Sequence, residues 1–276
     1  MKKLSFTLIA ILFSTSNLFA ATDVDITRSQ LWGAFIYRAQ MHNSGSGLFV
    51  KYSARYNLSY EKKLDGTVAD ETTQGLWLNE LFVGPEFVLK PSRKMKISTG
   101  PQYRVQGFYL DEKKTDRTDP STADPEGYYK HTIFWPTQFS YTHQSVTLGY
   151  RLVFWHLFPY DYKKVEVDYH GDAEFFSRHM LQCAFHVLDW LDLYLWDEVF
   201  LLHTAGDEGE QVFYRNAVWT GLLFKPVSGT SFRLGYIHYY TRAERSPSTD
   251  KDVIDHYIYA AVSYRSDYTN VSLLPY

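Results

Sequence analysis

Leu48-Phe49-Val50-Lys51-Tyr52-Ser53-Ala54-Arg55-Tyr56-Asn57-Leu58-Ser59-Tyr60-Glu61 alternates between apolar and polar residues along nearly its whole length. Leu48, Val50, Tyr52, Ala54, Tyr56, Leu58 and Tyr60 fall on one face, with Lys51, Ser53, Arg55, Asn57, Ser59 and Glu61 on the other. Successive side chains of a strand point to opposite faces, so the stretch reads as a strand with one apolar and one polar side. Strands of soluble sandwiches alternate too, but usually run about five or six residues. A run of roughly ten or more can cross a bilayer at a tilt. The pattern predicts a strand set between lipid and a polar lumen.

Lys94–Leu110 repeats the pattern, with Met95, Ile97, Thr99, Tyr103, Val105 and Tyr109 opposing Lys96, Ser98, Gln102, Arg104 and Gln106. Further strands are expected at Gly75–Leu89, Tyr128–Thr142, Ser145–Leu157, Phe175–Leu188, Leu191–Leu202, Gln211–Lys225, Thr230–Thr241 and Val253–Arg265. Leu31–Ala39 is an extra apolar-aromatic segment before them, and Asn270–Tyr276 a short one after. The connections sort by length. Residues 90–93, His143-Gln144, Asp189-Trp190 and 226–229 are tight, whereas 62–74, 111–127, 158–174, 203–210 and 242–252 are long and polar. Outer-membrane barrels show this alternation, with tight periplasmic turns and long external loops. The fold expected is an all-β, antiparallel, up-and-down transmembrane β-barrel of about ten strands. Twelve is the alternative, because Leu31–Ala39 upsets an even count.

Met1-Lys2-Lys3, the apolar run from Leu4 to Phe13 and the ending Leu18-Phe19-Ala20 have the layout of a secretory signal peptide. The expected organisation is a signal peptide over 1–20 and one barrel domain over 21–276. Removing 1–20 takes away two lysines and no acid, leaving 26 basic against 31 acidic residues, a net charge of −5. That balance argues against nucleic acid as a partner, which calls for a basic surface. Cys183 is the only cysteine, so no intrachain disulfide can form. Aromatic residues reach 18% while the mean hydropathy is −0.32. Aromatic girdles on a wall with polar residues at alternate positions produce that combination.

Trp32, Glu198-Val199-Phe200, Tyr214-Arg215-Asn216, Gly221-Leu222-Leu223-Phe224 and Leu234-Gly235-Tyr236 follow one another in an order that resembles a family of bacterial outer-membrane β-barrels of unknown function. The resemblance runs over most of the chain after residue 20. It implies a fold and a location, the outer membrane, and carries no activity to transfer. The chain departs from the family in its unusually aromatic wall and in the residues past the last strand.

Alternation places Arg55, Arg104, Arg151, Arg178, Arg215, Arg233 and Arg265 on the polar, lumen-facing side, with Glu80, Glu86, Asp192 and Glu198. These charges either pair with one another to fill a narrow barrel or form a positive conduit for small acidic solutes, such as uronates or sialic-acid-like sugars, held by planar guanidinium forks. His143 and Ser145, two apart, have the spacing of a base and nucleophile, but they fall at a tight turn, where polar residues are ordinary. Asp255-His256 follows a long loop, yet adjacent strand residues point to opposite faces and cannot pair without a bulge. His131, His156, His179, His186, His203 and His238 show no metal-ligand spacing and suit interface positions. Asp197-Glu198 inside an apolar strand suggests a bulge or the strand's exit from the membrane. Asn270-Val271-Ser272 matches a glycosylation sequon by coincidence, and the terminal Tyr276 is of the kind that barrel-insertion machinery reads, although Pro275 interrupts it.

The expectation is an outer-membrane barrel without catalytic, metal or cofactor chemistry. Its partners are outer-membrane lipid, the insertion machinery during biogenesis and small solutes. Its role is passage of those solutes or envelope structure. The alternative is a barrel enzyme hydrolysing lipid or peptide at the cell surface.

Overall fold

In the computed structural model the Leu48–Glu61 stretch lies inside β2 (Gly47–Leu64), whose two edges bond to β1 (Ile26–Gln40) and β4 (Gly75–Leu89). The structure describes residues 26–64, 67–70, 75–108, 128–158, 160–164, 167–171, 174–203, 212–241 and 253–268. The expected signal peptide, Asn270–Tyr276 with its sequon, and most of the long loops lie outside them. From β4 the pairing runs through β5 (Met95–Thr99) and β6 (Gln102–Phe108) to β7 (Tyr128–His143) and β8 (Val146–Leu157). It continues through β11 (Glu174–Leu188), β12 (Leu191–Leu202), β13 (Val212–Val227), β14 (Thr230–Thr241) and β15 (Val253–Asp267), which returns to β1. The sheet is closed, and no described residue is helical.

With β5 and β6 counted as one interrupted strand, the barrel has eleven strands, between the ten and twelve expected from sequence. The Leu31–Ala39 segment is a full barrel strand. An odd number of antiparallel staves leaves the first and last running the same way, so the ring closes through a parallel pair. β1 and β15 form it in unbroken register from Ile26↔Val253 to Gln40↔Asp267. The parity rule for such barrels is therefore not obeyed, and β1 begins at the long-loop end, not at the short-turn end where β15 finishes.

Two of the long links carry structure of their own. β2 runs past the barrel edge to pair with β3 (Thr67–Asp70), and β9 (Tyr160–Lys164) with β10 (Val167–Gly171) forms a separate hairpin. Among the described residues the wall is interrupted at Gly100-Pro101, where proline cannot donate to a ladder. Pro85 and Pro136 lie at the corresponding level of the strands on either side. Backbones approach closely there: a Cβ on Gly84 would stand 2.2 Å from the Pro101 carbonyl oxygen. Asp197-Glu198 marks no bulge, because the register between β12 and β13 is continuous through it and shifts only between Phe200 and Leu201.

Leu31, Phe35, Leu81, Trp135, Leu181 and Leu234 stand exposed on the outside of the wall. A band of large apolar side chains on strand after strand is a surface for hydrocarbon, not water. Tyrosine–histidine pairs border it toward the long-loop end: Tyr103 with His131, Tyr150 with His179, and Tyr236 with His256. Tyr37, Tyr264, Trp190 and Phe224 stack in pairs near the short turns. The wall thus has an aromatic border at both ends, as amphipathic rings prefer at a membrane interface. Among the described side chains of the barrel strands, His186 differs from the other histidines by facing inward, where it bonds Asp192.

Candidate functional site: the cationic lumen

The inward faces of β12–β15 and β1 are packed with rings. Trp32 lies 5.4 Å from Trp219 and 5.2 Å from Tyr259, and Trp219 lies 5.7 Å from Trp196. Gly221 and Gly235 oppose each other across β13 and β14 beneath the Tyr194 hydroxyl. A Cβ on Gly235 would come within 2.1 Å of that oxygen, so the tyrosine hydroxyl sits there only because glycine is there. The rest of the interior is a cavity of about 1120 Å³.

All the arginines expected from alternation line that cavity, namely Arg55, Arg104, Arg151, Arg178, Arg215, Arg233 and Arg265, together with Glu80 and Glu86. Glu198 is fully buried just behind the lining, and Asp192 sits at the short-turn rim, bonded to Lys225 Nζ at 2.7 Å and His186 Nδ1 at 2.8 Å. Arg28, Arg38, Lys51, Lys96 and Lys130 line the cavity as well. Arg28 and Arg38 are legible once β1 is taken as a barrel strand, since even-numbered positions from Arg28 to Trp32 and on to Arg38 face in.

Nearer the long-loop end the charges are matched. Glu80 accepts from Gln106 Nε2 at 2.7 Å, Ser53 Oγ at 2.9 Å and Arg104 Nη1 at 3.3 Å, with Arg55 Nη2 at 3.7 Å. Glu198 pairs with Arg178 and accepts the Trp219 indole N–H at 2.9 Å. Asp255 is gripped by Arg28 through Nε and, at 2.8 Å, Nη2. Its neighbour His256 points outward to Tyr236, so Asp255-His256 is no dyad. Several guanidinium planes also lie over rings: Arg55 over Trp32 at 4.1 Å, Arg104 over Phe134 at 4.4 Å and Arg233 over Trp196 at 4.5 Å. Such contacts hold a cation in place without neutralising it.

Nearer the short turns the balance changes. Arg38 and Arg265 face each other directly across the closing pair. Lys96, Arg151 and Arg233 lie within electrostatic reach of Arg38, and Glu86, bonded to Arg38 Nε at 3.1 Å, acts on Arg38, Lys96 and Arg151.

The outer wall holds a second polar cluster. Ser177 Oγ meets His203 Nε2 at 2.7 Å and His179 Nε2 at 3.2 Å, and His179 Nδ1 meets the Tyr150 hydroxyl at 2.7 Å. His143 and Ser145, whose spacing suits a base and nucleophile but which sequence assigns to a turn, share no hydrogen bond; His143 stacks on Tyr141 at 6.4 Å and Ser145 is part of the turn. No group of three or more His, Cys, Asp or Glu side chains among the described residues is placed to hold a metal ion.

No family model matches the chain, and no curated protein matches it. Among solved structures it is similar to the NanC porin, at 8% identity over 85% of this chain and 95% of that one, with a TM-score of 0.40. It is also similar to the translocator domain of the autotransporter NalP from Neisseria meningitidis, at 11% identity over 87% and 91% of the two chains, with a TM-score of 0.34. Superpositions this loose identify no relative, and the type is decided by the wall itself, which is closed, apolar outside and polar within. The chain is an outer-membrane-type β-barrel.

Proposed function

We propose that the chain is an outer-membrane protein whose lumen admits small anionic solutes and which works without catalytic chemistry. The observation that carries this is the charge of the lining. Twelve arginine and lysine side chains line the cavity against two carboxylates, Glu80 and Glu86. Adding the buried Glu198 and Asp255 brings the acids to four, and Asp192 at the rim is offset by Lys225, which leaves a net of +8. Self-pairing accounts for the matched half of the lumen but not for this excess. Low-dielectric walls lined by one sign of charge focus the field and concentrate counter-ions, and rings of Arg and Lys are how pores select anions.

The test is reconstitution in planar bilayers under a salt gradient. The expected reversal potential shows anion selectivity, reversed or abolished by Arg151→Glu. Cation selectivity, or a folded barrel that conducts nothing, would overturn the proposal.

A second reading, a lipid-hydrolysing wall, is favoured by one observation. Ser177, His179 and Tyr150 are connected as nucleophile, base and orienting group. Against it, Ser177 is 1% exposed and His203 occupies its hydroxyl. Labelling of the folded barrel by a fluorophosphonate, lost in Ser177→Ala, would support this reading; no labelling above that of the alanine variant would remove it.

A further inference from the structure

We infer that the short-turn half of the lumen is a binding site for a small hydroxylated acid, a molecule carrying a carboxylate on a polyhydroxyl body, held by Arg38, Lys96, Arg151, Arg233 and Arg265. The inference rests on the anion-admitting lumen proposed above and assigns it a ligand and a place. Five strands, β1, β5, β8, β14 and β15, each contribute one of these cations. Arg38 and Arg265 are in direct cross-strand register on the same inward face. Like charges so placed repel, and a sheet under no other constraint has no use for them. One carboxylate, Glu86, stands among the five.

The surroundings specify more than charge. Ser98, Gln138, Ser140, Gln182, Ser231 and Ser263 line the same end of the cavity. Short hydroxyls and amides offer hydrogen bonds to hydroxyl groups in either direction, which a bare inorganic anion does not use. The Arg233 guanidinium is pinned over Trp196 at 4.5 Å and Tyr194 at 5.4 Å, so its fork is oriented before a ligand arrives. A planar fork held this way suits a carboxylate better than a spherical ion. Glu86 acts as the resident competitor, the carboxylate that a ligand's own carboxylate must supplement or displace.

The experiment uses the full chain in planar bilayers, with the chloride current titrated by D-glucuronate and by D-glucose. Glucuronate is expected to block the current, whereas glucose at equal concentration leaves it unchanged. Arg233→Gln and Arg265→Gln should each raise the half-blocking concentration about tenfold, the scale of one charge-assisted hydrogen bond. Lys130→Gln, which removes a lumen cation near the long-loop end and outside the five, should raise it less than either arginine change, a measure of the loss of general lumen potential. Glu86→Gln should tighten the block several-fold. Heat-modifiable gel mobility establishes that each variant is folded.

An anion-selective channel that glucuronate does not block, or whose block is the same in Arg233→Gln and Arg265→Gln as in the unaltered chain, overturns this site and leaves the conduit standing. A channel that is not anion-selective removes the conduit first.

Discussion

The two halves of the lumen are built from the same residue types and put them to opposite uses. Toward the long loops, Glu80, Glu198 and Asp255 are each 2% exposed or less, and each is met by arginine and by further donors or a bidentate grip. Toward the short turns, Asp192 at the rim is taken by Lys225 and His186, and Arg38, Lys96 and Arg151 share the single carboxylate of Glu86 while Arg265 faces Arg38 directly. A buried ion pair is weak evidence of stability in itself, but removing one member strands the other charge, which is costly. The matched half is therefore where charge holds the barrel together. In the other half, charge is stored at some expense and left available.

That contrast can be broken most sharply at Glu198. Glu198→Ala leaves Arg178 and the Trp219 indole without their acceptor in the interior. A destabilisation of about 3–5 kcal/mol is expected from loss of one partner of a buried pair, measured by reversible urea unfolding in lipid vesicles. A loss under about 1 kcal/mol would mean the upper charges are as loosely held as the lower ones.

Gly235→Ala tests whether the ring-packed side of the lumen is rigid. The new methyl meets the Tyr194 hydroxyl, and overpacking of this kind costs roughly 1–3 kcal/mol. The same substitution made with Tyr194→Phe should cost clearly less than the sum of the two single changes, because the two positions touch. Strict additivity would show that the ring can move aside.

The smallest effect is expected in the unmatched half. Arg265→Gln relieves the repulsion with Arg38, and should be neutral or stabilising by about 0.2–1 kcal/mol in the same unfolding assay. A destabilisation comparable with that of Glu198→Ala would erase the difference between the halves.

Much of the wall is legible residue by residue. Lys51, Ser53 and Arg55 face in, and Tyr52 and Tyr56 stand exposed outside, because period-two alternation is a local property of a strand. The turns were legible to within a residue or two: the one expected at His143-Gln144 is Gln144-Ser145, and the one expected over 226–229 is Ser228-Gly229; Gln144 and Gly229 take positive φ, at 53° and 81°. Within the lumen, alternation assigns Arg178 and Arg233 the same face and gives no means of telling them apart. One is neutralised by Glu198 on the neighbouring strand; the other has aromatic rings beneath it. The Ser177–His179–His203 cluster was equally hidden, since His203 reaches Ser177 from the far end of the next strand.

The sequence by itself determined that the chain makes long amphipathic strands and which side chains of each face inward, but not every strand end: Leu31–Ala39 extends to Ile26–Gln40, and Lys94–Leu110 is broken at Gly100-Pro101. Strand character and facing follow from local stereochemistry and need no knowledge of neighbours. Only the tertiary structure decided that Ile26–Gln40 closes the ring in parallel with Val253–Asp267, giving eleven strands. It alone decided which inward cations meet an acid, because a carboxylate neutralises what lies within a few ångströms across the lumen, at sequence separations that alternation does not encode. The barrel was written along the chain, and the partition of its interior charge was settled only when the sheet closed.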